Sequence, residues 1–148
     1  MLLFFGLVGV IGTYYLHVSS LDWQVLLPAL SCGFFAVGVL NVNNIRDIHS
    51  DQLAGKYSIP VRIGRENAVI YHWSLILVGL GAAVVYTLLN YERPTQWIFL
   101  LSAPLFIRNA MAVQTKRSAS ELDPFLKQLA ISTLLFVLTF GFGLIYPL

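Results

Sequence analysis

Residues Ala68 to Leu89 read AVIYHWSLILVGLGAAVVYTLL, a run without a lysine, arginine, aspartate or glutamate. A helix needs about 20 apolar residues to cross a hydrocarbon core of about 30 Å, and this run has that length. A membrane β-strand would alternate apolar and polar residues over about ten positions; Leu75-Ile76-Leu77-Val78 does not alternate, so a helix is expected. Working outward, four more apolar segments have similar length: Leu2 to about Val18, about Trp23 to Leu40, about Gln96 to Val113, and about Pro124 to Tyr146. The first has no basic start and no small-residue cleavage signature, which favours a span over a signal peptide. Gly6, Gly9 and Gly12 in the first segment, and Gly79 and Gly81 in the third, suit close helix packing in lipid. The expected fold is all-α, a polytopic transmembrane helical bundle of about five spans.

Composition agrees with this reading. Of 148 residues, 57% are hydrophobic and 11% charged, far from the roughly quarter-charged composition of soluble domains. The charges gather between Arg46 and Glu66 and are absent from Met1–Leu21 and Gln128–Leu148, the layout of spans joined by polar loops. A lone cysteine, Cys32, excludes a disulfide framework or a Cys-ligated metal cluster and reads as a small packing residue. A net charge of +2 without a Lys/Arg-rich run gives no basis for nucleic-acid binding.

Positive loops stay in the cytoplasm, which orients the bundle. Arg46, Lys56, Arg62 and Arg65 follow the second segment; Lys116, Arg117 and Lys127 follow the fourth, with Arg108 near that segment's end. Both connections are expected to be cytoplasmic. The other connections carry only Asp22, or Glu92 with Arg93, and the C-terminus carries no charge, so these are expected outside.

Chemistry concentrates in the first basic connection, Asn41-Val42-Asn43-Asn44-Ile45-Arg46-Asp47-Ile48-His49-Ser50-Asp51-Gln52-Leu53-Ala54-Gly55-Lys56. If the second helix continues through it, Asn44, Asp47 and Asp51 fall at i, i+3 and i+7 on one face. Two carboxylates and an amide oxygen suit Mg²⁺, which commonly binds one or two carboxylates together with substrate phosphates. Gly55 is a helix terminator, and beyond it Lys56, Arg62 and Arg65 could hold outer phosphate oxygens. The competing reading is a wet loop of a transport or scaffold protein, since D-x-x-x-D also occurs by chance. Elsewhere the plainer readings lead. His17 and His49 read as incidental, and His72 with Trp73, like Trp23 and Trp97, as interfacial anchors. Arg108 and Asn109, near a span end, read as snorkelling to the surface. Tyr14 and Tyr15 fit an aromatic-acceptor pocket or an interface belt equally well.

The stretch NVNNIRDIHSDQLAGKYSIPVRIG resembles the second aspartate-rich motif of the UbiA-type membrane prenyltransferases, most closely the 1,4-dihydroxy-2-naphthoate polyprenyltransferase branch of menaquinone biosynthesis. That branch reads roughly N-N-x-R-D-x-x-x-D-x-x-x-G-K-x-T-L-x-V-R-x-G. Asn43, Asn44, Arg46, Asp47, Asp51, Gly55, Lys56, Val61, Arg62 and Gly64 fit it, with Ser58 for Thr and Ile59 for Leu. Gly12-Thr13-Tyr14-Tyr15 and Leu122-Asp123-Pro124 are similar too, as shorter strings.

The resemblance implies a nine-helix fold in which two acidic motifs on cytoplasmic loops hold Mg²⁺ ions bridging an isoprenoid diphosphate. It implies an enzyme of the bacterial inner membrane that moves a polyprenyl group from its diphosphate to 1,4-dihydroxy-2-naphthoate, with loss of the carboxylate, giving demethylmenaquinone. Carried over by position, Asp47 and Asp51 are the catalytic metal ligands and Asn44 a ligand or water anchor. Lys56, Arg62 and Arg46 are diphosphate contacts. The likeness covers helices five to nine, so residues 1–148 are expected to form the C-terminal half of such a domain, with its acidic metal and diphosphate loop at 41–67. The first acidic motif has no counterpart here, and Met1 is expected to begin a truncated product or to mark an internal position of a longer protein. The expected partners are therefore the polyprenyl diphosphate, the naphthoate, the lipid bilayer and an N-terminal half carrying the first motif. Another aromatic acceptor is the alternative within the superfamily.

Overall fold

The computed structural model describes residues 1–146, and within them every regular element is a helix. Helix α1 spans Leu2–Val18, α2 Trp23–Arg46, α3 Ile48–Leu53, α4 Ile59–Leu89, α5 Pro94–Thr115 and α6 Ala119–Ile145. Four of these, α2, α4, α5 and α6, are long and apolar enough to cross a membrane. The fifth expected span, α1, has the expected bounds but lies at the lower limit of spanning length, and its first part, Leu2–Ile11, is π-helical.

Three helices start earlier or end later than the apolar runs suggest. Helix α2 continues six residues past Leu40 to Arg46, which carries it into the acidic segment. Helix α4 begins at Ile59, nine residues before Ala68, and bends at Gly64 (φ 80°, ψ 161°), a left-handed backbone that favours glycine. Helix α6 begins at Ala119 because Ser118 and Glu121 form a capping box, each side chain meeting the other's backbone N–H, and Pro124 is taken inside the first turns. Within residues 41–67, only Asp47 and residues 54–58 lie outside helices. Helix α5 opens as a 3₁₀ stretch, Pro94–Ser102. Pro104 has no N–H for the Leu100 carbonyl, which is served instead by the Ala103 N–H.

Helices meet where side chains are small. A Cβ on Gly6 would sit 2.6 Å from the Ala29 carbonyl oxygen and 2.8 Å from the Gly33 Cα, so α1 lies directly on the α2 backbone. Gly79 leaves room on α4 for the Phe35 ring, whereas Gly12 and Gly81 face open space and serve no such contact. Between α2, α5 and α6 the core is aromatic: Phe35 stacks on Phe106 at 4.2 Å and meets Phe136 edge-on at 5.0 Å.

The expectation that His72 is an interfacial anchor is corrected. Because α4 starts at Ile59, His72 lies well inside it and is fully buried. Its Nε2 is 3.1 Å from Asn109 Oδ1. Asn109 is fully buried too, while Arg108 faces outward. Asn109 Nδ2 donates to the Phe125 carbonyl (2.8 Å) and Gln128 Oε1 (2.6 Å), so its oxygen must accept and His72 Nε2 must carry the hydrogen. Gln128 Nε2 continues to the Leu105 carbonyl and Ser132 Oγ. This polar chain ties α4, α5 and α6 together.

Candidate functional site

The acidic segment takes its shape from a nearly unbroken helical path. The Asp47 N–H donates to the Asn43 carbonyl (3.0 Å) and the Asp51 N–H to the Asp47 carbonyl (2.8 Å), although Asp47 itself leaves helical geometry at ψ 9°. Asn44 and Asp51 are consequently both buried and Asp47 half-buried. Among the described residues no three His, Cys, Asp or Glu side chains converge as a metal-binding group. What the segment offers is two carboxylates one helical turn apart along the chain, with the Asn44 amide three residues before the first.

Gly55 turns the chain back after α3. Its φ of 69° lets the Lys56 N–H reach the Asp51 carbonyl (2.8 Å), and this brings the Lys56 ammonium onto the Asp51 carboxylate. Nζ lies 3.1 Å from Oδ1, to which it donates, and 3.1 Å from Oδ2. Oδ2 is buried and takes no hydrogen bond. A buried carboxylate that draws a cation and has one oxygen without a hydrogen bond has the chemistry of a hard-metal ligand, and oxygen donors of this kind are those that Mg²⁺ or Ca²⁺ takes.

Asp47 is held differently. Arg46 Nε donates to its Oδ1 (2.7 Å) and Nη2 to its Oδ2 (2.9 Å), a two-pronged clamp. That hydrogen bonding keeps the Asp47 carboxyl below the usual carboxylate range, against the opposing effect of burial. The same guanidinium donates through Nη1 to Asp123 Oδ1 (2.7 Å) and through Nη2 to Asn43 Oδ1 (3.0 Å). All three of its nitrogens are engaged with protein, so a diphosphate would have to compete for Arg46. Arg62, on the first turn of α4, is exposed and its Nε donates to the Tyr57 carbonyl. Arg65 is drawn away toward α5, where it donates to the Val113 and Lys116 carbonyls.

Asp123 is the member that sequence reasoning passed over. It lies 77 residues beyond Arg46, and its signal was only an acid in the Leu122-Asp123-Pro124 string. Tyr14 lines an apolar cavity of about 300 Å³ with Cys32, Tyr86, Phe136 and Phe140, while Tyr15 is exposed. Tyr86 is 21 residues along α4 from Arg65, roughly 30 Å at 1.5 Å per residue, so this cavity lies toward the opposite end of the bundle from Asp51.

The sequence profile of the UbiA prenyltransferase family matches residues 1–134. The 1,4-dihydroxy-2-naphthoate octaprenyltransferase of Haemophilus influenzae is 39% identical over 144 residues, which are 97% of this chain and 47% of that protein. The protein of the same name from Escherichia coli is 37% identical over 143 residues, 97% of this chain and 46% of the relative. That from Mycobacterium tuberculosis is 34% identical over 135 residues, 91% and 45%. The chain thus spans about half the length of the curated relatives it matches. No solved structure matches it.

Proposed function

Because this chain belongs to the UbiA prenyltransferase family, we propose that it carries one of two acidic clusters of a Mg²⁺-dependent enzyme that prenylates 1,4-dihydroxy-2-naphthoate. The reaction breaks the bond between the allylic carbon and the diphosphate oxygen, and the diphosphate leaves with the electron pair. The ring carbon bearing the carboxylate bonds to the allylic carbon. Loss of that carboxylate as CO₂ returns its electrons to the ring, giving demethylmenaquinone in its reduced form.

The observation that carries this reading is Asp51, a buried carboxylate with an oxygen free of hydrogen bonds, one helical turn from the clamped carboxylate of Asp47. Asp47 and Asp51, with Asn44, would hold Mg²⁺. When bound, the metal supplies positive charge that stabilises the departing diphosphate. Asp47 remains ionised at physiological pH because Arg46 favours its charged form. Lys56 sits on Asp51 at 3.1 Å and is exposed at its tip, so it can turn to a phosphate oxygen when a metal takes its place. Arg62 is free on its solvent side for a second such contact. The isoprenoid tail has apolar surface along the helices, including the cavity lined by Tyr14, Tyr86 and Phe140. The basic end of the bundle, where Arg46 meets Asp123 and Arg65 meets the α5 terminus, faces the cytoplasm.

Two carboxylates are too few for a diphosphate with several negative charges, so activity requires an N-terminal half supplying the first acidic motif. The test is a prenyl-transfer assay in membranes of cells lacking the naphthoate enzyme, with this chain alone and with a complementary N-terminal half. Mg²⁺-dependent product only with both halves supports the proposal. No product from a properly inserted pair, beside an active control enzyme, would refute it.

A further inference from the structure

A second cationic feature lies at the basic end of the bundle, on the side of α4 turned toward α5 and away from Asp51. A cleft of about 230 Å³ opens between α4 and α5, lined by Arg65, Glu66, Val69, Ile70, Gln114 and Arg117. Two guanidiniums therefore share one small cleft. Neither has a carboxylate within ion-pair distance among the described residues, and Glu66, the acid in the lining, is in no ion pair either. Arg65 is fixed in place, since its Nη2 donates to the Val113 carbonyl (2.8 Å) and to the Lys116 carbonyl, while its Nε is buried without a partner. Arg117 is exposed and can move toward it.

The lining changes character along the helices. Val69 and Ile70 form its apolar part, one turn before Trp73, whose indole N–H donates to Gln114 Oε1 at 3.1 Å. Cations at the end of the span, apolar side chains beneath them and an indole one turn further along α4 match a molecule with a charged head and an apolar tail. A soluble phosphate would use only the first of these.

We propose that this cleft binds the headgroup of an anionic phospholipid from the leaflet facing the basic connections, with its phosphate between Arg65 and Arg117 and an acyl chain along Val69 and Ile70. Guanidinium forks match phosphate oxygens in pairs, and basic pockets between membrane helices on the cytoplasmic side are where such heads dock. The inference rests on membrane insertion and not on prenyl transfer.

Trp73 is the reporter. Trp23→Phe with Trp97→Phe leaves it as the single indole, and this variant of the full chain is placed in phosphatidylcholine vesicles containing equal shares of acyl-brominated phosphatidylglycerol or acyl-brominated phosphatidylcholine. The brominated anionic lipid is expected to quench Trp73 in preference to the zwitterionic one, by about fivefold in apparent affinity per arginine engaged. Arg117→Gln, at an exposed position, lowers that preference by about fivefold, and Arg65→Lys lowers it less while keeping the charge. Equal quenching by the two lipids in the parent would overturn the proposal, as would full preference retained in both variants. Loss of the preference on adding millimolar inorganic phosphate at constant ionic strength would assign the cleft to a soluble anion instead, and would equally overturn it.

Discussion

The acidic segment around Asp47 and Asp51 and the buried chain from His72 through Asn109 to Gln128 are both polar, yet they are built on opposite principles. In the buried chain, neutral groups pair with neutral groups: Asn109 makes three hydrogen bonds to α4 and α6, and Gln128 passes the chain on to Ser132. In the acidic segment, charges are concentrated and one carboxylate oxygen takes no hydrogen bond. His72 Nδ1 in the buried chain also lacks a partner, so an unpaired atom alone does not separate the two regions. Charge does: a carboxylate oxygen draws a cation, whereas the paired amides of Asn109 and Gln128 hold helices together. The first region should therefore answer to stability measurements and the second to activity.

The largest expected effect tests that division directly. Asp51→Asn removes the charge but keeps the shape, and in a complemented, active enzyme it should lower prenyl transfer by about 10³-fold, the upper end for loss of one preorganised electrostatic contact. Its unfolding midpoint should stay near that of the parent. A comparable collapse in stability would show that Asp51 serves the fold, and the contrast between the two regions would fail.

Next in size is Arg46. Its guanidinium reaches Asp47 and Asp123 together, so it orients a metal ligand through another residue's contacts and joins α2 to the start of α6. Arg46→Gln should cost about 10–100-fold in activity, the usual range for a group supporting a metal ligand. The Mg²⁺ concentration giving half-maximal rate should rise with it. Asp123→Asn should reproduce part of that rise. An unchanged Mg²⁺ requirement in both variants would return Arg46 to the role of a direct diphosphate contact.

The two regions also differ in how far the sequence reveals them. The acidic segment is contiguous, so spacing marks Asp47 and Asp51 as candidates and Gly55 as a helix terminator, but Lys56 reads there as a phosphate contact, and its pairing with Asp51 emerges only from the turn at Gly55. The buried chain joins residues 37 and 19 positions apart on separate helices, and no local pattern records that pairing. His72 reads as interfacial only if α4 begins where its apolar residues begin. Helices protrude from lipid, and their polar first turns, Ile59 to Asn67 and Ala119 to Asp123, carry no hydropathy signal. The second of these had a legible sign in the Ser118–Glu121 capping box, which outweighs the proline that followed it.

Asn109→Leu sharpens the comparison from the other side. It removes three hydrogen bonds between helices, each about 0.6 kcal/mol on average in a bilayer, for a loss of about 2 kcal/mol. Equilibrium unfolding in mixed micelles should register that loss, while the Mg²⁺ dependence of the complemented enzyme stays as it was. A shift in Mg²⁺ dependence would mean that the buried chain and the acidic end act as one unit.

The smallest effect is expected at the joint between the two regions. Gly64 sits at φ 80°, ψ 161° with nothing within 4 Å of where a Cβ would stand, so Gly64→Ala meets no steric obstacle and acts through the backbone alone. Holding a non-glycine residue there costs about 1–3 kcal/mol, less whatever the helix regains by straightening. Straightening is the informative outcome, because Tyr57, Arg62 and the turn carrying Lys56 lie on one side of the bend and His72 on the other. A loss of about 1 kcal/mol in unfolding free energy, with a raised KM for the polyprenyl diphosphate, would mean that the bend aims the cationic arm at the acidic segment. If KM is unchanged at the same stability loss, the bend is only a way for α4 to leave the membrane, and the acidic segment is positioned by Arg46 and Asp123 without help from α4.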